Sequence, residues 1–456
     1  MLGQTQMASI IPRGFHSLPL PVVQLSLAAV LKCGQSFRWS IYPLHVSPPS
    51  DPSIPTHEYR LCLRDRVVCL RQSPDTLFYR SVFPEPSPSV NQEAVRKAET
   101  LAWLKDYFQL DINLLKLYDE WSDRDTVFGK FRDRFEGIRM LRQDPWENLV
   151  SFICSSNNNI SRITKMVKSL CKQYSAPLIS LPPPLQSSDG LRTPPIGSSP
   201  GPEQELEEFY PFPPPSRLAE PHVSATLRSL GFGYRADFIQ KTAKMLVDAH
   251  GASPIHSGVP EPPERWLSTL RTLSTAEARA ELLRFMGVGR KVADCILLMS
   301  LDKKEVIPVD THVHQIAMKH YGMRGSSGTK QAMSPKLYDE VNAKLTAIWG
   351  DYAGWAHSVL FTADLKSFSS YGLSPSIPSP AKRSRLAVDI NALLPTPPAT
   401  PAPLLAGKKR GRPSRTPTLK VLEEQTVSDQ ISKGDDDETL PIPSSLAERV
   451  KRRRRS

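Results

Sequence analysis

The sequence predicts an α+β protein in which an antiparallel sheet domain precedes an all-α domain. Between about residues 14 and 130, strand-like segments alternate with turns. From about 131 to 366, the apolar residues recur with helical spacing. Beyond that the chain is rich in Pro, Ser, Lys and Arg, a composition that does not build a packed core. We therefore expect a twisted antiparallel β-sheet domain with helices, then an all-helical domain, then a disordered basic tail over 367–456.

A hairpin is predicted inside the sheet domain. Residues 61–64 and 67–70 consist largely of β-forming side chains and flank the polar pair Asp65-Arg66. Two such runs separated by a short polar turn are typical of adjacent antiparallel strands.

Amphipathic helices follow the sheet. One apolar face runs through 94–108, and two further stripes occupy 146–154 and 163–170. The residues concerned are Val95, Ala98, Leu101, Leu104 and Phe108, then Trp146, Leu149, Val150, Ile153 and Cys154, then Ile163, Met166, Val167 and Leu170. A proline-rich stretch over about 177–221 interrupts the helical pattern and is predicted to be an extended insertion.

Composition and charge restrict the class of protein. The net charge of +12 fits a polyanionic partner such as nucleic acid, although more than half of it lies in the tail. The six cysteines form no Cys-x-x-Cys pair, so neither a zinc ribbon nor a cysteine-ligated iron–sulfur cluster is indicated. No apolar stretch approaches the roughly 20 residues of a membrane span. We expect an intracellular protein with buried thiols, no metal centre and no membrane contact.

The tail contains two basic motifs. Residues 410–413, Arg-Gly-Arg-Pro, resemble an AT-hook, in which arginines enter the narrow minor groove of A·T-rich DNA. A solvated basic linker is the alternative at about even weight. Residues 451–455 are a cluster of nuclear-import type, with direct DNA contact as the alternative. We expect a nuclear protein, and a mitochondrial pool stays open.

Most evidence for the chemistry of this chain comes from three features: a glycine turn, a lysine and a distant aspartate. Gly287 and Gly289 flank one apolar residue in a turn between two helices, where the missing Cβ lets backbone approach a phosphate. Lys291 lies two residues after Gly289. Asp310 lies 19 positions further on, after Pro308, where a new helix should begin. Taken separately, a phosphate-binding lysine and an N-capping aspartate are the ordinary explanations.

Together, Lys291 and Asp310 predict base excision from DNA. A lysine held near a sugar carbon is a nucleophile once it is neutral, and partial burial would favour the neutral form. A nearby carboxylate can stabilise a cationic sugar. The alternative of a different class is a chromatin protein that uses the hairpin and the AT-hook only to bind DNA.

Several separated segments resemble the helix–hairpin–helix DNA glycosylases with a lysine nucleophile, specifically the 8-oxoguanine DNA glycosylase/AP lyases of eukaryotes, with a fungal source expected. The segments are residues 34–39, 141–145, 151–160, 231–235, 285–295, 308–312 and 352–356. The resemblance covers most of residues 16–366 and leaves out the tail. A glycosylase of the same fold for alkylated or other oxidised bases is the nearest enzymatic alternative.

The resemblance implies a bifunctional DNA N-glycosylase and abasic-site lyase. Lys291 would attack the sugar C1′ and form a Schiff base, which permits β-elimination 3′ to the lesion. Asp310 would stabilise the developing oxocarbenium charge. The expected substrate is double-stranded DNA with 8-oxoguanine opposite cytosine. No cofactor is expected, because lysine supplies the covalent chemistry, and the enzyme is expected to be a monomer.

The resemblance also implies a pocket for the flipped base. Its expected residues are Gly34, Cys295, Pro308, Asp310, His357 and Phe361. Cys295 and Phe361 would be stacking walls, with Met299 either beside them or in the core. The carbonyl of Gly34 would accept a hydrogen bond from N7–H of 8-oxoguanine, which guanine lacks. The family has glutamine where this chain has His357, which raises the hypothesis of a pH-dependent base preference near the histidine pKa.

The remaining expected site residues contact DNA outside the pocket. They are Asn157, Arg162, Tyr234, Arg235, Gly287, Gly289 and His312. Tyr234 would wedge into the gap left by the flipped base, and His312 would contact a phosphate. Asn157, Arg162 and Arg235 would hold the unpaired cytosine. The alternatives are a helix-end cap for the asparagine and phosphate binding for the arginines.

Overall fold

A computed structural model describes residues 11–44, 53–86, 90–184, 206–252, 259–323 and 334–373 of the chain. Both basic motifs of the tail and the middle of the proline-rich insertion lie outside these residues.

The N-terminal part is built on a five-stranded antiparallel sheet with the strand order β1-β5-β4-β3-β2. The strands are β1 (His16–Pro19), β2 (Ser40–Pro43), β3 (His57–Cys62), β4 (Val67–Gln72) and β5 (Thr76–Val82). The predicted hairpin is confirmed, because Cys62 is paired with Val67 across β3 and β4. The turn between them is closed by the N–H of Leu63, which donates to the carbonyl of Arg66 at 2.7 Å.

Helices make up most of the described chain outside the sheet, and the first of them lies between β1 and β2. They are α1 (Leu27–Val30), α2 (Val90–Tyr107), α3 (Leu114–Arg124), α4 (Thr126–Phe131), α5 (Pro145–Ile153), α6 (Ile160–Tyr174), α7 (Pro215–Ala219), α8 (Val223–Ser229), α9 (Arg235–His250), α10 (Pro262–Thr269), α11 (Thr275–Leu282), α12 (Arg290–Ser300), α13 (Thr311–Tyr321), α14 (Pro335–Trp349) and α15 (Ala353–Asp364). The predicted α+β architecture is thus confirmed. The two apolar stripes on α5 and α6 are buried in one continuous core, as their spacing predicted.

The helix predicted over 94–108 is present as α2, but its apolar face is buried only in the second half. Leu104 is fully buried against the sheet, whereas Val95 is 58% exposed. Ala98 is exposed as well. The periodicity extends along the whole helix, but the apolar cluster with the sheet begins only at Leu101.

The proline-rich insertion over 177–221 is not wholly extended, because the helix α7 (Pro215–Ala219) lies within it, which corrects the sequence-based prediction. Two extended segments of the insertion, β6 (Ile179–Leu181) and β7 (Glu207–Phe209), pair antiparallel. Leu181 and Phe209 are buried against residues of the five-stranded sheet. Strands of three residues are too short to produce an alternating pattern of apolar and polar residues, and the surrounding prolines are typical of loops rather than strands.

The ordered chain continues past the predicted boundary at residue 366. Phe368 is buried, and the ring of Tyr371 stacks on that of Phe135 with 5.7 Å between centroids. The Arg134 guanidinium donates to the carbonyls of Phe368 and Tyr371 at 3.1 and 2.7 Å. These contacts add the segment through Leu373 to the folded part.

The six cysteines are free and buried, as their apolar surroundings predicted. Within the described ranges, no helix has the length and apolar character to cross a membrane. In the same residues, no group of three or more His, Cys, Asp or Glu side chains is arranged to hold a metal ion.

Candidate active site

The glycine turn joins α11 to α12 and depends on one of its two glycines. Gly287 has φ +79°, and a Cβ there would lie 2.5 Å from the ring of Phe238. Gly289 has φ −93°, precedes the first residue of α12, and has open space where a Cβ would stand. A side chain is therefore excluded at Gly287 by both conformation and space, but not at Gly289.

Asp310 is the N-cap of α13, as its position in the sequence predicted. Its Oδ1 accepts hydrogen bonds from the backbone N–H groups of His312 and Val313 at 2.9 and 3.0 Å. These two bonds fix the direction of the carboxylate and leave Oδ2 available to other groups.

An apolar cavity lies between the N-terminal part and helices α5, α12 and α15. Its lining residues are Cys33, Gly34, Gln35, Phe152, Lys291, Cys295, Met299, Pro308, Asp310, His357, Ser358, Phe361 and Thr362. The six residues expected around a flipped base therefore lie in one place, together with Lys291. Sequence reasoning missed Ser358 and Thr362. Ser358 lies three residues before Phe361 and Thr362 four residues after Ser358, and this spacing on one helix face could have indicated them. Cys33 and Gln35 flank Gly34 and carried no separate signal.

A surface groove shares two of its lining residues with the cavity. The groove is lined by Ser155, Ser156, Asn157, Asn158, Gly287, Gly289, Arg290, Lys291, Val292, Val309, Asp310, Thr311, His312 and Tyr338. Lys291 and Asp310 belong to both sets, so they lie where the apolar cavity meets the surface groove. His312 is exposed at the groove, and its ring meets that of Phe361 edge-on with 6.1 Å between centroids.

The Lys291 amine lies over an aromatic ring and beside a carboxylate. Its Nζ is 5.3 Å from the centroid of Phe152. Burial lowers the pKa of Lys291, but Cys295 and Asp310 raise it by more, so the pKa is above its usual value. Burial raises the pKa of Cys295 to about 11, which leaves a neutral thiol near pH 7 and Asp310 as the charged partner. Burial does favour the neutral amine, as expected, but in the free protein its effect is outweighed by that of the neighbouring groups.

His357 is a buried imidazole whose two nitrogens find no hydrogen-bond partner among the described residues. It is 6% exposed and lines the apolar cavity. Burial lowers the pKa of His357 to about 4, so the ring is neutral near pH 7 and offers one donor and one acceptor. A pH-dependent preference centred on the ordinary histidine pKa is thus not supported.

Gly34 borders the cavity in a conformation that favours glycine. Its φ is +91°, and a Cβ would lie 2.8 Å from Cδ1 of Ile160, the first residue of α6. The close approach of these two segments accounts for the absence of a side chain at this position.

The loop before α6 and the turn before α9 are tied together. Arg235 is only 3% exposed, and its Nε donates to the carbonyl of Ser156 at 3.0 Å. A second guanidinium nitrogen donates to the carbonyl of Asn157 at 3.1 Å. Tyr234 is half exposed, and its hydroxyl donates to Ser156 at 3.1 Å. Arg162 reaches the carbonyl of Gly231 at 3.2 Å.

These contacts distinguish the four residues expected near an unpaired base. Arg162 and Tyr234 are exposed, whereas the guanidinium of Arg235 is engaged with backbone carbonyls inside the protein. Asn157 has φ +47° and is not the cap of α6, because Asn159 accepts from the N–H of Arg162 at 3.0 Å instead. The cap alternative for Asn157 is therefore wrong.

Two family models match consecutive parts of the chain. Residues 17–149 match the model described as 8-oxoguanine DNA glycosylase, N-terminal domain. Residues 150–337 match the HhH-GPD superfamily of base excision DNA repair proteins. Their junction lies inside α5, one of the walls of the apolar cavity.

Two named relatives match this chain over most of their own length. The N-glycosylase/DNA lyase of Saccharomyces cerevisiae is 34% identical over 366 residues, which are 77% of this chain and 86% of the yeast protein. The N-glycosylase/DNA lyase OGG1 of Arabidopsis thaliana is 36% identical over 350 residues, covering 76% and 80%. Among solved structures, one similar protein is the 8-oxoguanine glycosylase/lyase of Clostridium acetobutylicum, in complex with double-stranded DNA containing cytosine opposite 8-oxoguanine. It has a TM-score of 0.51 and is 25% identical, and the match covers 75% of this chain and 91% of that one. With its sheet domain, helical domain and glycine hairpin, the chain thus belongs to the N-glycosylase/DNA lyase family of base-excision DNA repair enzymes.

Proposed function

We propose that this enzyme removes 8-oxoguanine opposite cytosine from duplex DNA and cleaves the strand at the resulting abasic site. The position of Lys291 and Asp310, between the apolar cavity and the surface groove, carries the proposal. A base flipped from DNA in the groove would enter the cavity past both groups. The DNA bound by the Clostridium relative supports the choice of lesion and of the opposite base.

Lys291 would supply the covalent chemistry. Its neutral Nζ attacks C1′, and the bond from C1′ to the base nitrogen breaks, with the base taking the electron pair and a proton. Opening of the sugar ring then gives a Schiff base, and loss of a proton from C2′ expels the 3′ phosphate. Asp310 stabilises the positive charge that develops on the sugar. Because the amine is protonated in the free protein, it must lose that proton in the DNA-bound state.

Recognition of the base would come from the walls of the cavity. Cys295, Pro308 and Phe361 enclose the purine, and the Gly34 carbonyl accepts from its N7–H. His357 faces the cavity with one unpaired donor and one unpaired acceptor, which can bind the polar edge of the base.

Contacts to the DNA outside the cavity would come from the groove and the adjoining loops. Tyr234 fills the gap in the stack, while Asn157 and Arg162 bind the unpaired cytosine. Arg235 contributes by holding the loop of Ser156 and Asn157, and it contacts cytosine directly only if its bonds to those carbonyls are exchanged. The backbone at Gly287 and Gly289, together with His312, binds phosphates.

We also assign the enzyme to the nucleus, from the basic cluster at 451–455. The catalytic part would comprise a sheet domain over about 14–130 and a helical domain over about 131–366, to which the folded segment through Leu373 is attached. Replacing the five basic residues by alanine should move a fluorescent fusion out of the nucleus. Unchanged nuclear fluorescence of this variant would show that the cluster is not the import signal, whereas a wild-type fusion outside the nucleus would refute the assignment. A mitochondrial pool would be visible in the same images.

Borohydride trapping tests the function directly. Duplexes with one 8-oxoguanine opposite each of the four bases are incubated with the wild type, with Lys291→Ala, and with Lys336→Ala, which removes an exposed lysine from α14. We expect the strongest covalent complex opposite cytosine, no complex with Lys291→Ala, and a normal one with Lys336→Ala.

Other outcomes separate the alternatives. Trapping by Lys291→Ala would show that the assigned nucleophile is wrong. Trapping by the wild type only on abasic sites would keep the lysine chemistry and move the substrate to another base. Tight DNA binding without any trapping would favour the non-catalytic chromatin protein.

A further inference from the structure

The hydroxyl of Tyr338 joins the two chain segments that carry Lys291 and Asp310. It donates to Oδ2 of Asp294 at 2.6 Å and accepts from the backbone N–H of Val309 at 3.1 Å. Asp294 lies three residues after Lys291 on α12, and Val309 immediately precedes Asp310. One hydroxyl therefore connects the helix of the lysine to the residue before the aspartate.

This connection is buried, and the Asp294 carboxylate in it has a second partner. Asp294 is fully buried, and its second oxygen accepts from Nε of Arg279 at 2.7 Å. The ring of Tyr338 is also buried, and the guanidinium of Arg290 lies over it at 4.3 Å from the centroid. Hydrogen bonds in such surroundings constrain geometry strongly, because a broken bond leaves an unpaired polar group without water.

A second contact from α14 restrains the same segment. The side-chain nitrogen of Asn342 donates to the carbonyl of Ile307 at 3.0 Å. Asn342 is four residues after Tyr338, so both project from one face of α14. The approach to Asp310 is thus held at Ile307 and at Val309 by two side chains of one helix.

We propose that Tyr338 is a positioning residue for base excision, which sets the separation and orientation of the Lys291 amine and the Asp310 carboxylate. The proposal rests on the function proposed above. Tyr338 need not touch the reacting atoms, because it acts through the backbone on either side of them. Displacements of about 1 Å in an attack geometry can cost on the order of a hundredfold in rate.

Tyr338→Phe, made in the full chain, removes the hydroxyl and keeps the ring. We expect the single-turnover excision rate constant at saturating enzyme to fall about tenfold, an order of magnitude for a modest loss of alignment. The dissociation constant for lesion DNA should change less than about twofold, because the groove keeps its shape. Cleavage of a preformed abasic site should slow to a similar extent, since that step needs Lys291 but not the base cavity.

Tyr321→Phe is the matched control. The Tyr321 hydroxyl donates to the buried carboxylate of Asp125 at 2.7 Å, and Asp125 keeps a bond from Nε1 of Trp349 at 2.9 Å. Both variants thus lose one tyrosine–aspartate bond. Asp294 keeps its bond from Arg279, and Asp125 keeps bonds from Trp349 and from the backbone N–H of Val127. Tyr338→Phe also loses the bond from the backbone N–H of Val309. We expect both variants to lose thermal stability, Tyr338→Phe somewhat more because it also leaves the N–H of Val309 unpaired, and we expect slower excision only in Tyr338→Phe.

The proposal is overturned if Tyr338→Phe reacts as fast as the wild type, or if it loses DNA affinity and rate equally. Should Tyr338→Phe fail to fold, Asn342→Ala tests the same segment, and an unchanged excision rate there would overturn the proposal. Failure of the proposed function looks different, because the wild type itself would then give no trapped complex.

Discussion

The amine of Lys291 lies 5.3 Å from the centroid of the Phe152 ring. A cation is attracted to the face of an aromatic ring, and Asp310 adds an opposite charge nearby. Burial opposes the charged form, yet the pKa of Lys291 is raised overall. The free enzyme therefore holds its proposed nucleophile as an ammonium group, which has to lose a proton before it can attack.

Asp310→Asn should separate the charge of this residue from its role as a helix cap. Asparagine keeps the Oδ1 acceptor that binds the N–H groups of His312 and Val313. We expect lesion binding to be nearly unchanged and single-turnover excision to slow by about a hundredfold or more, because the cationic sugar loses its counter-charge.

The pH dependence of Asp310→Asn gives a second readout. Asp310 raises the pKa of Lys291, so the neutral amine becomes available only as pH rises toward that pKa. Without the carboxylate, we expect the rise in trapping rate to occur at lower pH than in the wild type. Equal losses of binding and excision, with no change in the pH profile, would instead mean that Asp310 only caps α13.

The stability of the enzyme in acid should depend on His357. The folded state lowers the pKa of His357 to about 4 from the ordinary 6.5, because the imidazole is buried. The stabilisation is complete above pH 6.5 and is lost as pH falls toward 4, since the unfolded chain takes up the proton first. At about 1.4 kcal/mol for each unit of pKa difference, the loss is roughly 3 kcal/mol.

His357→Gln supplies the comparison for that measurement, because glutamine does not titrate. Free energies of unfolding in urea should diverge between pH 6.5 and 4, with the wild type losing more. Parallel curves for the two proteins would show that His357 does not stay neutral in the folded state.

Gly287→Ala and Gly289→Ala should differ although the two positions look alike in the sequence. Alanine at Gly287 meets both a positive φ and the ring of Phe238, whereas at Gly289 it meets neither. We expect Gly287→Ala to weaken DNA binding at least tenfold through a distorted hairpin, and Gly289→Ala to change it by less than about threefold. Fluorescence anisotropy with lesion duplexes measures both, and equal losses would contradict the structural distinction.

Gly34→Ala should impair discrimination as well as stability, and Gly251→Ala is its control. Both glycines have positive φ, at +91° and +81°, but only Gly34 has a neighbour, Ile160, within contact distance of a new Cβ. A side chain at positive φ costs on the order of 1–3 kcal/mol, so both variants should have lower melting temperatures. A reduced preference for 8-oxoguanine over guanine is expected only in Gly34→Ala, because the Gly34 carbonyl must shift. An unchanged preference would remove that carbonyl from base recognition.

The sequence by itself determined the architecture and the residues that would meet. Apolar periodicity predicted α5 and α6 correctly, because spacing on a helix directly decides which side chains share a face. The turn at Asp65-Arg66 predicted the β3–β4 hairpin through local backbone preferences. The resemblance predicted that Gly34, Lys291 and His357, which are far apart in the sequence, belong to one site, and they line one cavity.

Only the tertiary structure decided properties that depend on neighbours far away in the chain. Val95 is exposed because the apolar cluster with the sheet covers only the second half of α2. Leu181 and Phe209 are buried because distant parts of the sheet provide a surface for them. A repeat of apolar residues along one segment does not specify whether a partner surface exists opposite it.

The pKa shifts and the buried hydrogen bonds of the site are the properties that the sequence predicted least well. The pKa of Lys291 is raised by Cys295, one turn further along α12, and by Asp310, 19 positions away. The low pKa of His357 depends on how completely the fold buries the ring. The hydroxyl of Tyr338 bridges α12 to the approach of α13, which no local pattern could indicate. Charge and hydrogen-bond energies vary with distance and with the surrounding dielectric, and folding alone sets both.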